Sequence, residues 1–240
     1  MFDLNLSQLL PPLPRNTSLV TIALKVNGTP VPDTIRIKGV RVSRCANRIS
    51  FATVTILDGN VSRQQFESSD MDILSPGNPV EILVGYHGSN ESVFKGIIIR
   101  HALKIKEGTS SYIELECKDE AIKLTAGRKN KYYFQSKDSD IIEDILRNGG
   151  VQQTDVESTT VLHKEMVQYF VTDWDFIVMR AEANGMLVYT EDGKVIAKKP
   201  DFNQQPKFPL NFGTSIIEFE AEMDARDQFP TAQATIWKPG

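Results

Sequence analysis

From Leu19 onward, apolar side chains recur at every second position. Val20, Ile22, Leu24 and Val26 alternate with Thr21, Ala23 and Lys25 and stop at Asn27-Gly28, a pair whose tolerance of positive φ suits a tight hairpin turn. The alternation returns in Ala52, Val54 and Ile56 before Asp58-Gly59, in Val80, Ile82, Val84 and Tyr86 before His87-Gly88, and in Ile113, Leu115 and Cys117. Between these runs, Val93 to Lys106 is rich in β-branched residues and ends at Glu107-Gly108. A period of two sends successive side chains to opposite faces, so the pattern predicts an antiparallel sheet that closes on itself or forms a sandwich.

After about Leu124 the period lengthens. Asp138 to Asn148 places Ile141, Ile142, Ile145 and Leu146 on one helical face, and Gly149-Gly150 follows as a stop. A second helix opens at Thr172, whose hydroxyl is placed to cap it with Asp175 three residues on. Trp174, Ile177, Val178 and Ala181 share its face. Phe176 and Met179 fall off that stripe, which predicts burial on more than one side. Met186 to Thr190 and Lys194 to Ala197 then read as a hairpin about Asp192-Gly193. The last segment is again strand-like: Ile217, Phe219, Ala221 and Met223 alternate with Glu218, Glu220, Glu222 and Asp224, giving one apolar face and one acidic ladder.

The predicted class is therefore α+β and β-rich. Residues 1–16 form an N-terminal arm of apolar positions (Phe2, Leu4, Leu6, Leu9, Leu10) leading into a proline cluster. Residues 17–125 form a β-barrel, 126–208 an αβ insertion, and 209–240 strands that return to the barrel or open a second one. The ladder residues Glu218, Glu220 and Glu222, with Arg226, are the candidate assembly interface.

Composition narrows the function. The chain has 240 residues, with 27 Lys and Arg against 31 Asp and Glu, for a formal charge of −4, which argues against a general binder of nucleic-acid backbones. Its densest basic stretch, Lys123, Arg128, Lys129 and Lys131, reads as a solvated loop. No apolar run approaches the roughly 18 residues needed to span a bilayer. The start carries Asp3 where a signal peptide carries Lys or Arg, so no signal peptide is expected. The N-x-S/T matches at Asn5, Asn16, Asn27, Asn60 and Asn90 then read as chance.

Residue chemistry offers no catalytic, cofactor or metal site. Cys117 is in phase with Ile113 and Leu115, so it reads as a core residue, and Cys45 has no base beside it. His87 adjoins a turn glycine, His101 lies within a strand, and no H-E-x-x-H or paired C-x-x-C occurs. Asp173 and Asp175 stand at a helix start, where carboxylates stabilise the free N–H groups. The default is a structural or interaction protein. A cell-wall glycan hydrolase built on a carboxylate pair is the alternative of a different class.

The order of segments carries a more specific signal. Val93-Phe94-Lys95-Gly96-Ile97 opens a long strand, Tyr112 to Asp119 gives the next, and Asp138 to Leu146 a short helix. His163 to Gln168 leads into Tyr169-Phe170-Val171-Thr172-Asp173-Trp174-Asp175-Phe176-Ile177, then Arg180-Ala181-Glu182-Ala183-Asn184-Gly185 and finally Phe219 to Arg226. From about Leu19 to the end this resembles the N-terminal hub region of the Vgr (VgrG) type VI secretion spike family, which is similar to contractile phage tail hubs and late-control D proteins. The resemblance implies a tail-tube-like barrel with no enzymatic activity and no cofactor. It also implies a homotrimer that adapts a threefold spike to a hexameric tube protein, with baseplate proteins as neighbours and a tip or effector carried by a further C-terminal region. A phage or prophage tail hub shares the same region. The implied location is the bacterial cytoplasm during assembly, followed by ejection with the apparatus, without an integral membrane segment.

Overall fold

Strand β1 (Val20–Val26) turns through Asn27 and Gly28, at φ 52° and 75°, into the short β2 (Thr29–Pro30), as the Asn-Gly pair predicts. There follow β3 (Arg36–Ser43), β4 (Phe51–Leu57), β5 (Pro79–Tyr86), β6 (Ser89–Lys104) and β7 (Tyr112–Lys118). The computed structural model describes residues 20–59, 71–86, 89–105, 111–216, 218–224, 230–231, 233–235 and 237. The expected arm, 1–16, lies outside them.

These strands form one antiparallel sheet in the order β2-β1-β5-β6-β7-β4-β3. Alternate residues of β1, β4, β5, β6 and β7 point into a single apolar core that includes Leu24, Val54, Ile56, Ile82, Phe94, Ile98 and Leu115. Ile37, Val40 and Val42 of β3 pack on its rim. A sheet whose one buried face packs against itself is rolled, and the described ladder runs from β2 to β3. Gly96 is required by space. A Cβ there would lie 2.2 Å from the Lys118 carbonyl oxygen of the neighbouring strand.

Beyond β7, a 3-10 turn (Glu120–Thr125) leads to β8 (Lys129–Lys137), α1 (Asp138–Asn148), β9 (Gln153–Val156), β10 (Leu162–Val171), α2 (Asp173–Glu182), β11 (Leu187–Glu191) and β12 (Lys194–Lys198). Strands β8 and β10 make an antiparallel ribbon, while β11-β12-β9 is a mixed sheet in which β12 pairs with β9 in parallel. A second core joins Ile141, Ile142, Ile145 and Leu146 of α1 to Trp174, Phe176 and Ile177 of α2 and to Val188, Val195 and Ala197 of the mixed sheet. Thr172 caps α2 by accepting the Asp175 N–H at 3.1 Å, as its position predicts. Phe176 is buried off the main stripe, but Met179, expected with it, is exposed.

The basic stretch read as a solvated loop is corrected in part: Lys129 and Lys131 belong to β8. Their amines reach Asp173 and Asp144, so their charges are held at the margin of the second core. A polar run conceals a strand when its exposed lysines end on carboxylates supplied by helices distant in sequence.

Residues 1–200 form one compact unit and 201–240 another. In the second, the Asn211 carbonyl accepts the N–H groups of Thr214, Ser215 and Ile216 in a tight turn with Gly213 at φ 87°. None of its described residues is in a strand. The strands expected over 209–240 are thus not formed among the described residues, and alternation without a ladder partner does not hold an extended segment as a strand.

Candidate assembly surface

The junction between the rolled sheet and the αβ insertion is polar and buried. Ser50 donates its hydroxyl to the Thr190 carbonyl at 2.9 Å, and its N–H goes to the Thr190 hydroxyl at 3.0 Å. Asn47 spans both parts. Its N–H meets the Val188 carbonyl, its side-chain oxygen accepts the Val188 N–H, and its amide donates to Glu182. Asp119, 1% exposed, accepts the N–H of Ala121 on one oxygen and that of Gly193 on the other, at 3.0 and 2.9 Å. Burial outweighs those two bonds and holds its carboxyl above the usual range. Arg44 adds ion pairs to Glu191 and Asp192. The Asp192-Gly193 turn, legible in the sequence as a hairpin, is therefore also the insertion's point of attachment.

A second network organises the insertion. Asp138, buried at the start of α1, accepts two bonds from Arg180 (2.6 and 3.1 Å), one from Asn184 (2.9 Å) and a contact with His163 Nε2 (2.9 Å). Burial alone would raise its carboxyl; the bonds from Arg180, Asn184 and His163 overcome this and bring it down to about 2. Asp173 likewise ends on Lys129 and Gln168. These carboxylates are used up in structural bonds.

The β8–β10 ribbon presents its other face outward. Tyr132, Phe134, Val167, Tyr169 and Phe170 are exposed, and Tyr132 lies across the ladder from Val167. A bulge between Gln168 and Val171 puts Phe170 at φ +46°, a region unfavourable for an aromatic residue. The Asn130 side chain holds it there by accepting the Phe170 N–H at 2.8 Å, and the Arg128 guanidinium lies over its ring. Exposed apolar surface is found at protein–protein contacts and at ligand-binding grooves. This face was missed in the sequence because the Lys-rich start of β8 masks the alternation.

The other sequence candidates fall into place singly. Cys117 is buried in the first core, where desolvation and then the Glu116 charge push its thiol up to about 12; Cys45 is free and exposed. His101 hydrogen-bonds the Leu74 carbonyl through Nδ1, His163 is bound to Asp138, and His87 lies outside the described residues. Among the described residues no group of His, Cys, Asp and Glu is arranged to hold a metal, and no helix is long and apolar enough to cross a membrane. Glu218, Glu220 and Glu222 are exposed; Arg226 lies outside the described residues. A cleft of about 550 Å³ beside β3 is walled by Arg41, Arg48, Lys118, Cys45, Phe51 and Trp174.

The family model for the Alg8 N-terminal domain matches residues 16–240. The chain belongs to that family. No protein of curated function matches the sequence. Among solved structures, this member of the Alg8 N-terminal domain family is similar to the 43 kDa tail protein of prophage MuSo2 from Shewanella oneidensis, at 13% identity and a TM-score of 0.60, over 75% of this chain and 53% of that one. The tail protein of Neisseria meningitidis MC58 matches at 16% identity and TM-score 0.58, over 78% and 53%. The E. coli c3393 protein matches at 14% and 0.52, over 72% and 48%. That protein is a component of the type VI secretion system with structural similarity to the T4 bacteriophage tail proteins gp27 and gp5. The chain spans about half the length of these structures. Its fold is the tail-protein fold that the sequence resemblance implies.

Proposed function

We propose that this chain is a structural hub or spike-base component of a contractile injection apparatus, adapting a threefold spike to a hexameric tube, with no catalytic activity of its own. The observation that carries the reading is the fold shared with the type VI secretion component, the prophage MuSo2 tail protein and the Neisseria meningitidis tail protein. The spending of the buried carboxylates Asp119, Asp138 and Asp173 on structural bonds supports it, since a general acid or base must reach its substrate. A phage or prophage tail hub is the second reading, favoured by two tail proteins that match at the higher TM-scores.

On the first reading the partners are two further copies of the chain, the tube protein, baseplate proteins and a tip or effector. The chain resides in the cytoplasm during assembly and leaves with the apparatus. Deleting its gene should abolish assembled sheath–tube particles in electron micrographs, and labelled chain should sit at one end of the tube in the complemented strain. Normal particles without the chain would overturn both readings. Co-purifying capsid rather than secretion membrane proteins selects the phage form, and turnover of cell-wall glycan by the purified chain would contradict the non-enzymatic claim.

A further inference from the structure

The cleft of about 550 Å³ beside β3 is lined entirely by residues of the 1–200 unit. Val42, Ala52 and Cys117 pack into the first core, so alternation turns Arg41, Phe51 and Lys118, their neighbours along the strands, to the outer face of the sheet. There Phe51 stands across the ladder from Lys118, with Arg41 on the strand beyond. Ile122 of the 3-10 turn and Trp174 of α2 add apolar lining, and the loop after β3 adds Cys45 and Arg48. Three cations therefore share one concavity. None of them meets a carboxylate among the described residues, whereas elsewhere on the sheet Lys25 and Lys95 share Glu81, Arg100 has Glu116 and Lys104 has Glu114. The acids closest to the cleft in the bonding pattern are engaged: Glu116, on the same face of β7 as Lys118, is held by Arg100, and Glu182 accepts the amide of Asn47, itself a cleft residue, at 2.8 Å.

Like charges gathered around a concave surface with apolar walls focus a positive potential inside it, and the volume falls in the range of ligand sites. We propose that this cleft docks an acidic peptide segment of a partner protein, its carboxylates paired with Arg41, Arg48 and Lys118 and an apolar side chain set against Phe51 and Ile122. The spread of the cations selects this ligand. Arg41 and Lys118 stand two strands apart, about 10 Å across the sheet. Alternate side chains of an extended peptide are about 7 Å apart, so two or three acids of one segment cover that distance. Arginine donates paired hydrogen bonds to a carboxylate, which fixes the direction of approach. A phosphate group gains nothing from the start of α2, the helix that carries Trp174: its first turn already holds Asp173 and Asp175 beneath the Thr172 cap. The proposal stands on the cleft alone, so its failure leaves the tail-protein reading untouched.

Fluorescence anisotropy tests it on the whole chain, with a dye-labelled peptide of glutamates alternating with leucines as the probe. The chain should bind this peptide, and bind its glutamine counterpart about tenfold more weakly. Arg41→Glu and Arg48→Glu, both at exposed positions, should each weaken binding about tenfold. Lys164→Glu makes the same charge change at an exposed site on β10 that does not line the cleft, and should leave binding unchanged. Moderate salt should weaken binding. Cys45 reports where the peptide sits. It is free and exposed on the cleft wall while Cys117 is buried, so a neutral disulfide reagent reads Cys45 alone, and bound peptide should slow that reaction. Absence of binding, equal binding of the glutamine peptide, full binding by the Arg41 and Arg48 variants, an equal loss in Lys164→Glu, or binding that leaves Cys45 as reactive as before would each overturn the proposal. So would displacement of the peptide by an equal concentration of inorganic phosphate, which would mark a site for a single small anion.

Discussion

Asp138 shows how one carboxylate fixes the geometry of the αβ insertion. It ties the start of α1 to Arg180 and Asn184 at the end of α2 and to His163 on β10. Replacing it with Ala leaves Arg180 partly buried without its counter-charge, and a loss of about 3–5 kcal/mol in denaturant unfolding is expected. The pH dependence follows from the sign of its shift. The folded carboxyl sits at about 2, below its ordinary 3.8, so the unfolded chain binds the proton first as pH falls. Its contribution to stability is complete above about pH 4–5 and lost as pH drops through 3.8 toward 2. Asp138→Asn should flatten that part of the acid-unfolding curve, and an unchanged curve would show that other groups govern it.

At the scale of elements, two side-chain environments give sharp expectations. Trp174, on α2, is 5% exposed in the second core and also walls the cleft beside β3, so Trp174→Ala should cost about 3–5 kcal/mol; a measured loss below about 1 would make the indole peripheral. Gly96→Ala drives a methyl into the Lys118 backbone, which cannot move without opening β6 from β7. A loss of about 1–3 kcal/mol and faster amide exchange in β7 are expected. These elements were also the legible ones. Period-two alternation located β1, β4, β5 and β7, and the Asn27-Gly28 and Asp192-Gly193 pairs marked the β1–β2 and β11–β12 turns because residues tolerant of positive φ fit there. Strand β8 was hidden since Lys129 and Lys131 look solvent-bound in sequence yet end on Asp173 and Asp144, partners 44 and 13 residues away. The parallel pairing of β9 with β12 leaves no local signature, because register between distant strands is set by packing. Asp119 was invisible for the same reason: its two N–H donors lie 2 and 74 residues along the chain.

In the 1–200 unit as a whole, two apolar cores are joined across a patch of hydrogen bonds rather than by a shared greasy face. Ser50, Thr190, Asp119 and Gly193 form that patch. Thr190→Val removes the acceptor of the Ser50 N–H in a buried site and should cost about 1–3 kcal/mol. Combined with Ser50→Ala, it should split a single unfolding transition into two, read as separate exchange of the β4 and α1 amides; a single transition in the double variant would place the coupling elsewhere. Directional bonds of about 3 Å lose most of their strength within a small displacement, so the Ser50–Thr190 and Asp119–Gly193 bonds hold the two cores in a single register.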